Sequence, residues 1–192
     1  PQLRLTSGND RLRVLADVFA PPVVMPSNLR DGSLRMAAEH EGVDVLLYEA
    51  GEGVRVDDFA ARTGVAGILR VMNHLGMISG KGVPRKRAEP LYCSESHWYR
   101  APAGGLLRGY LTTGDTVEPG AVMGAISDPF GEFEAEVVAD QQGIIIGRTN
   151  MPVVYEGDAL FHVAQTSSPE DVARGITAHM APMPMFDEDE II

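Results

Sequence analysis

The stretch Val43-Asp44-Val45-Leu46-Leu47-Tyr48-Glu49-Ala50 is a nearly continuous apolar run that ends on a carboxylate and is followed by Gly51. Such a run, with little polar alternation, is how a strand buried on both faces of a parallel sheet reads. Its surroundings are helical. From Gly8 to Ala20 the apolar residues Leu12, Leu15, Ala16 and Phe19 recur at three- and four-residue spacing. Pro21 and Pro22 end that helix, and Val23-Val24-Met25 is a short strand candidate. Ser33 can cap a helix from Leu34 to Glu41 that stops at Gly42. Asp57 and Asp58 open a helical stretch to Met77, with Leu69, Met72 and Leu75 expected on its buried side. Helix, strand, helix, strand, helix is the order of an α/β layer architecture, here over residues 1–79.

Composition narrows the function classes. The chain has 192 residues, 16 basic against 27 acidic, for a formal net charge of −11. Asp187, Glu188, Asp189 and Glu190 form an acidic tail, and without these four the body still carries 16 basic against 23 acidic residues. Phosphate-backbone binding needs clustered cations, so a nucleic-acid partner is not expected. Cys93 is the single cysteine, which excludes an internal disulfide and a cysteine-cluster metal site. No run approaches 18 apolar residues and the N-terminus lacks a basic-then-apolar pattern, so neither a membrane partner nor a signal peptide is expected, and a cytoplasmic location is the default. The chain begins at Pro1 and enters at once into foldable sequence, which reads as a piece of a longer protein.

Two further textures follow. Residues 80–91 read as a basic, solvated linker that holds both lysines of the chain, Lys81 and Lys86, with Arg85 and Arg87. Residues 92–165 read as all-β, with the short runs LLRGYL, AVMGAI, FEAEVVA, GIIIGR, PVVY and ALFHVA separated by Gly, Pro and Asp turns. The segment from Ala101 to Gly109 can be laid on that from Ala139 to Gly147 at an offset of 38, where Glu118 also falls on Glu156. Two such halves suggest a pseudo-twofold β-sandwich. Residues 166–192 read as a helical and acidic tail, its helix capped in Ser168-Pro169-Glu170-Asp171.

Few side chains carry chemistry. The histidines are His40, His74, His97, His162 and His179, none with a ligand partner at HxxE or HExxH spacing. Glu49 closes an apolar strand, and in open α/β sheets ligands bind beyond the carboxyl ends of strands. Partial desolvation there suits general acid–base work, whereas the plainer reading is a carboxylate bonded to helix amides or to an arginine. Arg30 and Arg35, in SNLRDGSLR, could hold a substrate carboxylate bidentately, or could pair with Asp31, Asp44 or Glu49. Ser127 to Glu132 lies between the two repeat halves, where lipoyl and biotinyl carrier domains hold their cofactor on a lysine. Residues 92–192 contain no lysine, so a swinging-arm carrier is excluded.

The segments SNLRDGSLR, VLLYEAGE, GVAGILRVMNHLGMI, YRAPAGGLLRGY, GAISDPFGE and GIIIGRTNMPVVYEGDALFHVA resemble, in this order, the C-terminal half of the succinylglutamate desuccinylase/aspartoacylase family, zinc hydrolases related to the zinc carboxypeptidases. The resemblance covers about residues 22 to 165. It implies a carboxypeptidase-like α/β domain followed by a lipoyl-like barrel-sandwich domain, and cleavage of the amide of an N-acyl amino acid or similar small substrate. It implies a Zn2+ cofactor held by an HxxE pair and a later histidine, all expected upstream of Pro1, so no metal ligand is expected in this chain. Glu49, in YEAG, matches the family's catalytic glutamate, whose role would be to take a proton from the zinc-bound water and return it to the leaving amine. Arg35, in GSLR, matches by order and approximate spacing an arginine that binds the substrate carboxylate. The intact protein would then be a zinc-dependent amidohydrolase, and this chain alone inactive.

Other functions stay open at this level. The repeated β module could be a non-catalytic assembly domain that caps or homo-oligomerises the protein, or the chain could be a degenerate relative that binds ligand without turnover.

Overall fold

The structure is a computed structural model that describes residues 1–166 together with Thr177 and His179. The helix expected from Ser168 and the acidic tail lie outside the described residues. The chain divides into two compact units, one built on Pro1–Tyr92 and one on residues 93–166.

The first unit is a four-stranded sheet of β1 (Gln2–Leu5), β2 (Val23–Pro26), β3 (Leu47–Glu49) and β4 (Leu91–Tyr92), in the order β3-β1-β2-β4. β1 runs parallel to β2, and β2 parallel to β4. β3 runs antiparallel to β1, with Gln2 opposite Glu49 and Arg4 opposite Leu47. This corrects the expectation of a parallel strand buried on both faces. Only Leu47–Glu49 of the run is strand, it lies at the sheet's edge, and its residues are half-buried. Apolarity was shared between that edge strand and the segment leading into it, and Val43 is exposed. Tyr92, read as the start of the β module, ends the first sheet, where its hydroxyl donates to Asp17 (2.7 Å).

Among the described residues up to Tyr92, three helices accompany this sheet. Helix α1 (Asp10–Phe19) is capped by Asn9, whose side chain accepts from the Leu12 amide, and it ends at Ala20, which takes a left-handed conformation with φ of 52°. Leu12, Leu15, Ala16 and Phe19 are its buried residues, as the spacing implied. Helix α2 (Leu34–His40) has the expected Ser33 cap but buries no residue. Helix α3 (Asp58–His74) buries Ala60, Thr63, Gly64, Ala66 and Gly67. Its expected apolar side is displaced: Leu69 and Met72 are half-buried and Leu75 is exposed. Small residues win here because α1 comes close. A Cβ on Gly67 would stand 2.4 Å from the Phe19 ring, so any larger residue would force the helices apart. Arg70 on α3 fastens the pair, donating through Nε to Val18 O (3.1 Å) and through Nη2 to Phe19 O, the last carbonyls of α1. Leu3, Leu5 and Val24 from the sheet join Leu12, Ala16 and Phe19 in one core.

The second unit has two antiparallel sheets. One has the order β5-β12-β10-β7, with β5 (Ser96–Arg100), β7 (Thr116–Val117), β10 (Gly143–Arg148) and β12 (Ala159–Gln165). The other has the order β11-β6-β8-β9, with β6 (Gly105–Gly109), β8 (Val122–Ser127), β9 (Glu134–Val138) and β11 (Val153–Val154). The offset of 38 runs through this topology. It carries β5, β6, β7 and β8 onto β9, β10, β11 and β12, and so exchanges the two sheets. Each sheet therefore draws strands from both halves of the repeat. Their inner faces share one core that includes Val117, Met123, Ile126, Ile145, Leu160 and Phe161. Each half also reaches the other through its turn, Gly120 N–H donating to Ala139 O (2.8 Å) and Gly157 N–H to Ala101 O (2.9 Å).

The repeat fixes two glycines by close approach. A Cβ on Gly105 would lie 2.5 Å from Ser127 O, and one on its counterpart Gly143 would lie 2.4 Å from Ala164 O. Both obstacles are backbone and cannot swing aside. Gly105→Ala and Gly143→Ala should each lower stability by about 1–3 kcal/mol, whereas Gly104→Ala, whose Cβ would meet its nearest atom, Val154 O, at an ordinary 3.6 Å, should stay within about 0.5 kcal/mol. Denaturant titration followed by fluorescence of Trp98, the single tryptophan, checks this in the unit where both glycines sit. Among the described residues no helix is long and apolar enough to cross a membrane.

Cys93 is 3% exposed, and burial pushes its thiol from 9.0 up to about 11. The folded value lies above the unfolded one, so the neutral thiol's contribution to stability is complete below pH 9 and fades as pH rises towards 11. At pH 8 a disulfide reagent should label Cys93 only as fast as the protein opens, and full labelling should appear on adding denaturant.

Candidate active site

β1 has two faces. Its alternate residues Leu3 and Leu5 enter the core beside α1, while Gln2 and Arg4 project to the other side of the sheet. Because Gln2 stands opposite Glu49, the carboxylate of β3 meets both polar residues. Arg4 Nε donates to Glu49 Oε2 at 2.8 Å, and Gln2 Nε2 donates to the same oxygen at 3.2 Å. Arg4 is largely covered, and the Glu49 side chain keeps 42% of its exposure. Glu49 is thus partly exposed and held by an ion pair, which is the plainer of the two readings, with Arg4 as the arginine. Gln2 is buried, and its Oε1 has no protein donor among the described residues.

The position of Glu49 also differs from the expectation. It does close its own strand, but β3 runs against β1 and β2, so Glu49 lies at their amino ends, level with Gln2 and Val23. Tyr48, the residue before it, turns to the opposite face. Its hydroxyl donates to Ala60 O (2.7 Å), its ring stands 5.3 Å from that of Phe19, and burial pushes its phenol up. Tyr48 thereby ties the strand that carries Glu49 to α3.

Arg35 is elsewhere. Its Nη2 donates to Ser27 Oγ (3.0 Å) and Asn28 O (3.3 Å), and its Nη1 to Ser27 O (3.4 Å), so it braces the segment beyond the carboxyl end of β2. Leu5 and Pro26 are paired at that end, and Gln2 and Glu49 at the other, three residues away. At the usual strand rise this is on the order of 10 Å. The structure does not bring Arg35 into contact with Glu49, and Arg35 makes none of the ion pairs considered for it. The histidines stay apart too. His40 and His74 are exposed in the last turns of α2 and α3. His162 stacks on Trp98 with centroids 4.4 Å apart, its Nε2 2.8 Å from Ser96 Oγ, and His179 lies with Nε2 3.4 Å from Glu89 O. Among the described residues no group of three or more His, Cys, Asp or Glu side chains could hold a metal ion, so these residues do not fit the zinc implied by the resemblance.

Sequence reasoning missed Gln2 and Arg4. Alternation over four residues, QLRL, was the available signal, but a strand so short is not separable from a loop without its partners.

The fold has solved counterparts. A succinylglutamate desuccinylase/aspartoacylase from Rhodobacter sphaeroides superposes with a TM-score of 0.74 at 24% identity, covering 85% of this chain and 52% of its own. The apo ectoine utilization protein EutE (DoeB) from Ruegeria pomeroyi gives 0.75 at 17% identity, covering 85% and 55%. An aspartoacylase family protein from Mesorhizobium loti gives 0.65 at 17%, covering 86% and 52%. The chain thus has the mixed α/β fold of the desuccinylase/aspartoacylase proteins, and spans about half the length of the structures it matches. No family model matches the sequence, and no curated protein sequence matches it.

Tyr48→Phe removes one half-buried hydrogen bond and should cost about 1 kcal/mol. Thermal melting of the purified variant checks it, and an unchanged melting temperature would show that the Tyr48–Ala60 bond does not anchor β3.

Proposed function

We propose that this chain is the rear part of a zinc-dependent amidohydrolase that removes the acyl group from an N-acyl amino acid or a similar small amide, with Glu49 as its general base. The observation that carries this reading is the carboxylate of Glu49, held on Oε2 by Arg4 and Gln2 in a fold shared with proteins named as desuccinylase and aspartoacylase. Glu49 would take the proton of the attacking water and hand it to the departing amine, leaving a free carboxylic acid and an amino acid. Arg35 would anchor the substrate carboxylate through the N–H groups not engaged by Ser27 and Asn28. The second unit, whose strands follow the offset of 38 and which contains no lysine, would be a lipoyl-like barrel-sandwich without a carrier arm.

Zinc in such an enzyme supplies Lewis acidity, and its ligands would come from residues other than the described ones, which do not assemble a metal site. The lysine-free β module supports a second reading, in which the chain is a non-catalytic assembly module.

Assay of the intact protein against N-succinyl and N-acetyl amino acids separates the two. Glu49→Gln should abolish turnover, a loss of at least about a hundredfold, with zinc content unchanged, while elemental analysis of the 192-residue chain should find less than stoichiometric zinc. Turnover retained in Glu49→Gln would remove Glu49 from the role of base.

A further inference from the structure

We infer that Arg4 and Gln2 are positioning residues for Glu49, and that Oε1 of Glu49 is the oxygen that exchanges the proton. This deepens the deacylase reading and rests on it. The observation is a lopsided contact. Arg4 Nε (2.8 Å) and Gln2 Nε2 (3.2 Å) both donate to Oε2, and among the described residues no protein donor reaches Oε1. An arginine that only cross-links two strands gains most from a two-pronged pair in which both carboxylate oxygens accept. Here one oxygen carries both donors, which stops the carboxyl group from spinning and leaves the lone pairs of the other for a water molecule.

Strand register makes the arrangement stiff. Gln2 stands directly opposite Glu49, and Arg4 stands opposite Leu47, two residues along on the same face and within reach of a long side chain. The Gln2 amide has one workable orientation, because its carbonyl would repel the carboxylate, so Nε2 must face Glu49. Gln2 is itself packed in, at 8% exposure. A carboxylate set between two strands holds its geometry better than one on a loop. In the reaction a water O–H bond breaks as the Oε1–H bond forms, and Oε1–H then breaks as the N–H bond of the leaving amine forms. Glu49 ends as the carboxylate it began as.

Two measurements test this. In the 192-residue chain, the Arg4 Nε–H resonance should be resolved by 15N NMR and should shift and exchange faster with water in Glu49→Gln; an unchanged signal would show that no such clamp exists. In the intact protein, assayed on N-succinyl and N-acetyl amino acids, Arg4→Ala should lower kcat about 10- to 100-fold with KM nearly constant, and Gln2→Ala less. Arg4→Lys, which keeps the cation, should recover part of the loss and covers the case in which Arg4→Ala folds poorly. In the Glu49→Gln background, Arg4→Ala should cost nothing more, because its effect passes through the carboxylate. A rise in KM at constant kcat, or an equal loss in both backgrounds, would overturn the positioning role. If the intact wild-type protein turns over none of these amides while the NMR response is present, the deacylase reading falls, the positioning role falls with it, and Arg4–Glu49 is left as a structural pair.

Discussion

A strand of four residues, β1, holds the first unit together by doing opposite things on its two faces. Leu3 and Leu5 are buried against α1, and on that side the energy is apolar area removed from water, roughly 1.5–3 kcal/mol for each such side chain. Gln2 and Arg4 take the other side and hold the carboxylate of Glu49. The strand sits inside the sheet, between β2 and β3, so its position is set from both directions. A slip of one residue would bury the arginine and expose the leucines, which is why this register is strongly specified.

The same economy appears around β3. Tyr48 and Glu49 are neighbours on one strand and point to opposite faces, one bonding α3 through Ala60 O and the other bonding β1 through Arg4 and Gln2. The anchoring of the edge strand and the placement of its carboxylate are thus separate interactions on one backbone. Contact between α1 and α3 depends in turn on the small residues Gly64 and Gly67, which let the rings of Tyr48 and Phe19 lie against the helix. In the second unit the governing constraint is repetition. Two halves of like pattern each give strands to both sheets, so neither half can complete its own sheets or core alone.

Local signals in the sequence carried a good share of this. The caps of α2 and α3, at Ser33 and Asp57, the buried stripe of α1 and the offset of 38 all depend on residues near each other in the chain or on a period that counting reveals. Three things were not legible: that β3 is an antiparallel edge strand, that the small residues of α3 form its buried side, and that Arg4, rather than Arg35, is the partner of Glu49. Each depends on a neighbour distant in sequence. Glu49 and Arg4 are 45 residues apart, and nothing local to either names the other.

By itself the sequence determined the change of texture along the chain, the positions of α1, α2 and α3, the repeat in the β module and Glu49 as a candidate carboxylate. Periodicity, capping and turn chemistry act over a few residues, and those are enough for such conclusions. Only the tertiary structure decided what surrounds that carboxylate. Strand direction and register are set by the pairing of distant segments and by which faces the helices cover, and it is register that puts Gln2 opposite Glu49, sets Arg4 one step along the same face and leaves Arg35 at the far end of the sheet.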